Sequence, residues 1–270
     1  MIQGPLVEGS WLAERLDDPT VRIVDLRAKE EYDKGHLKNA VNAPMSLLRT
    51  TINGIPGMAI GPREFEELLG RLGVSNDSTV VAYDDVGGLD AARLYWTLEH
   101  YGHERAHLLH GTTALWLAEN RTLVGNAPAV EAVPYRATLQ TSRVATLDQV
   151  RAALGGPGVV LVDARTPQEY AGQQAEQTGS TGHIPGAVNV EWSSHLETGD
   201  HKRLKTRHEL LELYQSAGVT PDKEVIVYCR TAHRASHSYF VLRLLSYPRV
   251  RLYDGSWAEW SSRPELPVER

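Results

Sequence analysis

Short apolar, β-branched runs alternate with amphipathic stretches along this chain, and the whole alternation occurs twice. In the first half, Ser10 is placed to cap a short helix through Leu16. Val21 to Asp25 reads as a strand, followed by Leu26-Arg27 and a polar segment from Ala28 to Gly35. Gly35-His36-Leu37-Lys38-Asn39-Ala40-Val41-Asn42 reads as a turn entering a short strand. Pro62 suits the first position of a helix that runs to about Leu72 and ends at Gly73. Thr79 to Tyr83 is the next strand, Asp90 to Tyr101 the next helix, and Leu108-Leu109 a short strand before His110-Gly111.

The second half repeats this plan. Val159 to Asp163 is a strand, followed by Ala164-Arg165 and the polar stretch from Thr166 to Gly172. Gly182-His183-Ile184-Pro185-Gly186-Ala187-Val188-Asn189 echoes the segment around His36. Thr206 with Glu209 has the spacing of a capping box, opening a helix that Gly218 closes. At an offset of 145, Gly73, Val74, Asp77, Val80, Val81 and Tyr83 face Gly218, Val219, Asp222, Val225, Ile226 and Tyr228. This is a domain-length duplication rather than a solenoid period. The expected division is residues 1–119, a linker at 120–137 containing Pro128 and Pro134, and residues 138–270. The expected fold class is α/β, each half a parallel sheet covered by helices on both faces.

Composition narrows the function classes. The net charge of −6 and the lack of any Lys/Arg block argue against nucleic-acid binding. No run approaches the ~18 apolar residues of a membrane span. The segment from Met1 to Leu26 carries Glu8, Glu14, Asp17 and Asp18 and does not read as a signal peptide. A cytoplasmic location with no membrane partner is expected, where a thiol stays reduced. A monomer is expected too, since the duplicated chain already supplies an internal pseudo-dimer.

The single cysteine, Cys229, follows Val225-Ile226-Val227-Tyr228 and precedes a helical pattern marked by Ala235, Tyr239, Leu242 and Leu245. It therefore sits between a strand's C-terminal end and a helix N-terminus, where active sites of parallel sheets lie. Unpaired N–H groups and the helix dipole at that point favour a thiolate, as do the flanking Arg230 and Arg234. A buried structural cysteine is the plainer alternative, and the two arginines weigh against it. At the offset of 145 Cys229 faces Asp84, whose loop has no thiol, no arginine and three carboxylates. The first half is thus expected to be inactive.

These segments resemble the rhodanese family, in its two-domain form with an inactive first copy. The resemblance rests on Val162-Asp163-Ala164-Arg165 with Glu169-Tyr170, on Gly182-His183-Ile184-Pro185-Gly186-Ala187, on the loop from Cys229 to Arg234, and on Asp254-Gly255-Ser256-Trp257. It implies a thiosulfate sulfurtransferase, in which Cys229 is the catalytic residue that takes a sulfane sulfur as a persulfide. The sulfur then passes to a thiophilic acceptor, cyanide or a thiol. The small anionic donor would meet Arg230, Thr231, Ala232, His233 and Arg234, with Arg165 as a further candidate. No cofactor and no metal are implied. The Cys-Arg start of the loop is closer to the thiosulfate type than to the Cys-Gly-Ser-Gly of the mercaptopyruvate enzymes. Thr231 stands where lysine is usual, Ala232 where glycine is usual, and Glu169 where a donor-binding arginine is usual. Ala232 therefore leads us to expect a loop backbone that avoids glycine-specific angles there.

Other readings compete. Asp163 and Arg165 suit a structural ion pair bracing the loop better than substrate contact. His36 and His183 occur in both copies, which favours a structural role for each. Trp257 and Trp260 suit either a pocket wall or core packing. The spacing of Cys229, His233 and His237 admits a metal site, but an anion cradle accounts for these residues better. Three other functions remain open: a 3-mercaptopyruvate sulfurtransferase, a persulfide carrier or interaction module, and a phosphatase-like enzyme. The last needs five residues between Cys and Arg, where this loop has four.

Overall fold

The computed structural model describes residues 4–174 and 180–270. It divides into two units. The first comprises Met1–Arg49, Ala59–Gln140 and Leu196–Leu204; the second comprises Thr50–Met58, Thr141–His195 and Lys205–Arg270. Each unit thus includes a short segment from the opposite half of the sequence.

The strands of the first half are β1 (Leu6–Val7), β2 (Val21–Asp25), β3 (Ala40–Asn42), β4 (Arg49–Ile52), β5 (Ile55–Ala59), β6 (Thr79–Tyr83) and β7 (Ala106–Leu109). Its helices are α1 (Gly9–Ala13), α2 (Lys29–Lys34), α3 (Pro62–Arg71), α4 (Leu89–His100) and α5 (Thr113–Ala118). The main sheet has the order β1-β7-β6-β2-β3, all parallel. The second half supplies β8 (Val144–Ala145), β9 (Val159–Asp163), β10 (Val188–Asn189), β11 (Glu224–Tyr228) and β12 (Val250–Tyr253). Its helices are α6 (Leu147–Ala153), α7 (Pro167–Tyr170), α8 (Arg207–Ser216), α9 (His233–Leu244) and α10 (Ser256–Trp260). That sheet has the order β10-β9-β11-β12-β8, again all parallel.

The central strands explain why the apolar runs are continuous rather than alternating. Val225, Ile226, Val227 and Tyr228 are fully buried, as strands covered on both faces must be. Ile226 and Tyr228 pack with Leu161, Ile184, Tyr253, Trp257 and Trp260 in one core cluster. In the first unit Ile23, Val81, Tyr83, Leu37 and Trp116 form the corresponding cluster.

Two local expectations differ from the structure. Ser10 lies inside α1, which begins at Gly9 behind an extended Glu8 that makes no side-chain cap. The hairpin β4–β5 has no counterpart in the sequence reading, although its signal is present. Asn53 and Gly54 both take positive φ (51° and 81°), as a two-residue hairpin turn requires. Among the described residues, no helix is long and apolar enough to cross a membrane.

Candidate active site

Four residues, Cys229–Ala232, join β11 to α9, whereas five, 84–88, join β6 to α4. The offset of 145 therefore holds from α3 and α8 through β6 and β11, and falls to 144 from α4 and α9 onward. Asp84 still stands at the strand end, as Cys229 does.

The first unit displays what this strand–loop–helix geometry does. Asp84 is buried, and its Oδ1 accepts from the backbone N–H groups of Val86 and Gly88, both at 2.8 Å. Its Oδ2 accepts from Asp90 N–H at 2.8 Å and Ala91 N–H at 2.9 Å. Four N–H donors thus converge on one anion, in the manner of a backbone nest. Burial raises the Asp84 carboxyl to about 6, with Asp90 adding to the rise and the N–H donors opposing it.

In the second unit the residue at that position is the thiol. Cys229 is a free thiol and is 1% exposed. The loop is tied from behind by Ser256. Its Oγ accepts from Cys229 N–H (3.3 Å) and Ala232 N–H (3.0 Å) and donates to Tyr253 O (2.8 Å). Trp257 N–H and Ala258 N–H donate to the carbonyls of Cys229 and Arg230, both at 2.9 Å. The start of α10 therefore fixes the loop's shape.

Ala232 overturns one expectation. It takes φ 60° and ψ −8°, the left-handed region that glycine favours, at the N-cap of α9. Its counterpart at the N-cap of α4 is Gly88, φ 85°. Alanine tolerates this angle at a cost, and the Ser256 bond with full burial holds it there. Ala232→Gly is expected to raise unfolding stability by roughly 0.5–1 kcal/mol, checked by urea denaturation.

The loop's charged and polar side chains have distinct settings. Arg234, in the first turn of α9, makes a two-pronged pair with Glu169 on α7, at 2.7 and 2.8 Å. Burial would raise the Glu169 carboxyl, but Arg234 and the Thr166 donors hold it at about 2, below its ordinary 4.5. A depressed carboxyl contributes stability above its unfolded value and loses it as pH falls. The stability gap between wild type and Glu169→Gln should accordingly be constant above pH 4.5 and shrink between 4.5 and 2. Urea unfolding across that range measures it.

Arg230 lines a cavity of about 120 Å³ with Gly54, Pro56, Trp257, Ser261 and Ser262. Thr231 is met by Gly57, whose φ is +80° and whose added Cβ would lie 2.7 Å from Thr231 Cβ. His233 is half-buried, its N–H donating to Thr231 O at 2.9 Å.

Arg165 is fully buried. Its Nη2 donates to Asp163 Oδ2 and to Gly182 O, both at 2.7 Å, and its guanidinium lies 4.6 Å from the Trp257 ring centroid. Burial works against its charge, and Asp163 more than restores it. Arg27, Asp25 and Gly35 repeat the arrangement in the first unit. His36 and His183 likewise do one job in both: each stacks on a tyrosine, Tyr32 or Tyr170, and bonds that tyrosine's carbonyl.

Sequence reasoning did not assemble His195, His237 and Tyr214. His195 Nδ1 lies 3.1 Å from His237 Nδ1, on α9, and its Nε2 lies 3.0 Å from Tyr214 Oη on α8, all three residues buried. Burial and His237 push His195 well below its usual value, so it is neutral. Among the described residues, no three His, Cys, Asp or Glu side chains gather as metal ligands would.

The rhodanese-like domain profile matches residues 8–119 and again 146–263. The chain belongs to the rhodanese family. Among curated rhodanese relatives, the thiosulfate sulfurtransferase of Pseudomonas aeruginosa is 37% identical over 98% of this chain and 96% of its own. The sulfur carrier protein TtuD of Thermus thermophilus is also 37% identical, with the same coverage of each chain. Among solved structures, the 3-mercaptopyruvate sulfotransferase SseA of Escherichia coli superposes with a TM-score of 0.84. It is 30% identical, covering 94% of this chain and 99% of that one. This rhodanese therefore sits among sulfur-transfer proteins over nearly its full length.

Proposed function

We propose that the protein is a sulfurtransferase that moves a sulfane sulfur from thiosulfate to a thiophilic acceptor, cyanide or a thiol, through a persulfide on Cys229. The observation that carries this reading is positional. The only cysteine of the chain stands where the first unit directs four backbone N–H groups at the Asp84 carboxylate. Here Ala232 N–H, the counterpart of Gly88 N–H, is taken by Ser256 Oγ, and the remaining N–H groups of the loop and of the start of α9 suit a thiolate and a persulfide anion. The dipole of the twelve-residue α9 adds to it.

The chemistry has two steps. The Cys229 thiolate attacks the outer sulfur of thiosulfate, the S–S bond breaks, and sulfite leaves with the electron pair. The acceptor then attacks the terminal sulfur of the persulfide, and the Cys229 thiolate is restored. Arg230 and the loop N–H groups receive the donor anion, with Thr231, Ala232 and His233 shaping the approach. Arg165, engaged through Nε by Asp163 and through Nη2 by Asp163 and Gly182, braces the loop rather than touching substrate. A reducing compartment such as the cytoplasm suits a thiol that must stay free.

Similarity to SseA favours 3-mercaptopyruvate as the second donor to consider, and similarity to TtuD a carrier role. Intact mass after incubation with each donor and desalting, alongside sulfite release, separates these readings. A gain of one sulfur at Cys229 with thiosulfate, followed by rapid transfer to cyanide, is the expected result. A gain only with 3-mercaptopyruvate moves the donor assignment. Stable persulfide with slow turnover selects the carrier, and no gain with either donor rejects the transferase reading.

A further inference from the structure

A carboxylate beside a site for anions opposes its own ligand, so Glu169 requires a reason to be there. Its placement is built rather than incidental. Glu169 is 8% exposed. Its Oε2 accepts from Thr166 N–H (3.0 Å), Thr166 Oγ1 (3.1 Å) and Arg234 Nη1 (2.7 Å), and its Oε1 accepts from Arg234 Nη2 (2.8 Å). Arg234 in turn feels the charge of Cys229 as well as that of Glu169. The first unit, which lacks the thiol, lacks this pair too. Asp90 holds the helix position of Arg234, and Glu31, the counterpart of Glu169, is exposed and bonds Lys34.

A two-pronged pair leaves Arg234 with N–H groups to donate, but its positive charge is matched in place. A site with a compensated arginine still orients an anion by hydrogen bonds. It does not reward a second negative charge on that anion.

We propose that Glu169 is a specificity-determining residue that grades sulfur donors by charge, disfavouring a doubly charged donor relative to a singly charged one. The proposal rests on the transfer reading above. Thiosulfate and methanethiosulfonate isolate the variable. Both present a terminal sulfane sulfur to the Cys229 thiolate, and in both one S–S bond breaks. Sulfite leaves from the first as a dianion, methanesulfinate from the second as a monoanion.

Glu169→Gln removes the charge and keeps the shape. Glutamine serves equally as the third residue of a capping box, and this chain already uses one, Gln149 behind Thr146. In Glu169→Gln the ratio of kcat/KM for thiosulfate to that for methanethiosulfonate should rise about 5- to 10-fold, the effect of one uncompensated charge near the surface. The change should lie in KM. Protection of Cys229 against iodoacetamide by sulfate relative to methanesulfonate should shift likewise, with no sulfur transferred. The double variant Glu169→Gln/Arg234→Gln removes both charges and should return both ratios to the wild-type value, a reversal that a folding defect cannot produce.

Ratios within twofold of wild type in both assays, whatever the absolute rates, overturn the proposal and leave Glu169 as a brace. A shifted protection ratio in a protein that takes up no sulfur would sustain charge grading while the transfer reading falls.

Discussion

Cys229→Ser should lose sulfur transfer from thiosulfate by at least about a thousandfold and gain no mass from the donor. Serine fits the same space, so the loop and its Ser256 tether persist. What disappears is a nucleophile whose sulfur can carry another sulfur. The companion variant is Asp84→Ala. It removes the acceptor of four backbone N–H groups in the first unit and should cost roughly 2–3 kcal/mol of stability there. Transfer should remain within about threefold of wild type, because the thiol and its loop are untouched. Loss of transfer in a folded Asp84→Ala protein would mean that the first unit takes part in the chemistry.

The second large effect is on stability. Arg165→Ala should destabilise the second unit by roughly 3–5 kcal/mol, since it leaves the Asp163 carboxylate buried without its partner. Asp163 and Arg165 are both 0% exposed, and the pair also holds the Gly182 carbonyl. In a chain of this size that is a fall of about 10 °C in Tm, read by calorimetry. Arg27→Ala should cost less, because Arg27 retains some exposure and also pairs with the half-exposed Asp85. A small Arg165 effect would show that the pair is retained for a reason other than stability. The strand end that it braces carries Tyr228, directly before Cys229, so sulfur transfer should fall along with Tm.

Features read from the sequence were those written in local chemistry. Buried strands appear as continuous Val/Ile runs, Thr206 and Glu209 form the capping box their spacing suggests, and the duplication places Asp84 opposite Cys229. The rest depends on contacts that spacing does not encode. Glu169 and Arg234 are 65 residues apart, and neither announces its partner. The left-handed Ala232 is held by Ser256, which the loop sequence does not contain. The loop of the first unit is longer by one residue, and an offset counted from Gly73 to Tyr83 stops short of the slip. The hairpin was legible as well, for Asn53-Gly54 is a strong turn signal, as were the capping boxes at Thr146 and Thr166.

The allocation of Thr50–Met58 to the second unit and Leu196–Leu204 to the first has a bearing on ancestry. A freshly duplicated gene yields two self-sufficient copies, either of which can later be lost. Once each copy has lent a stretch to its sister, a deletion of either half removes part of the survivor. A copy without a thiol is then still needed by its sister, and the pair is inherited as a single heritable module. Residues 138–270 on their own would accordingly lack Thr50–Met58, a stretch of the unit that contains Cys229.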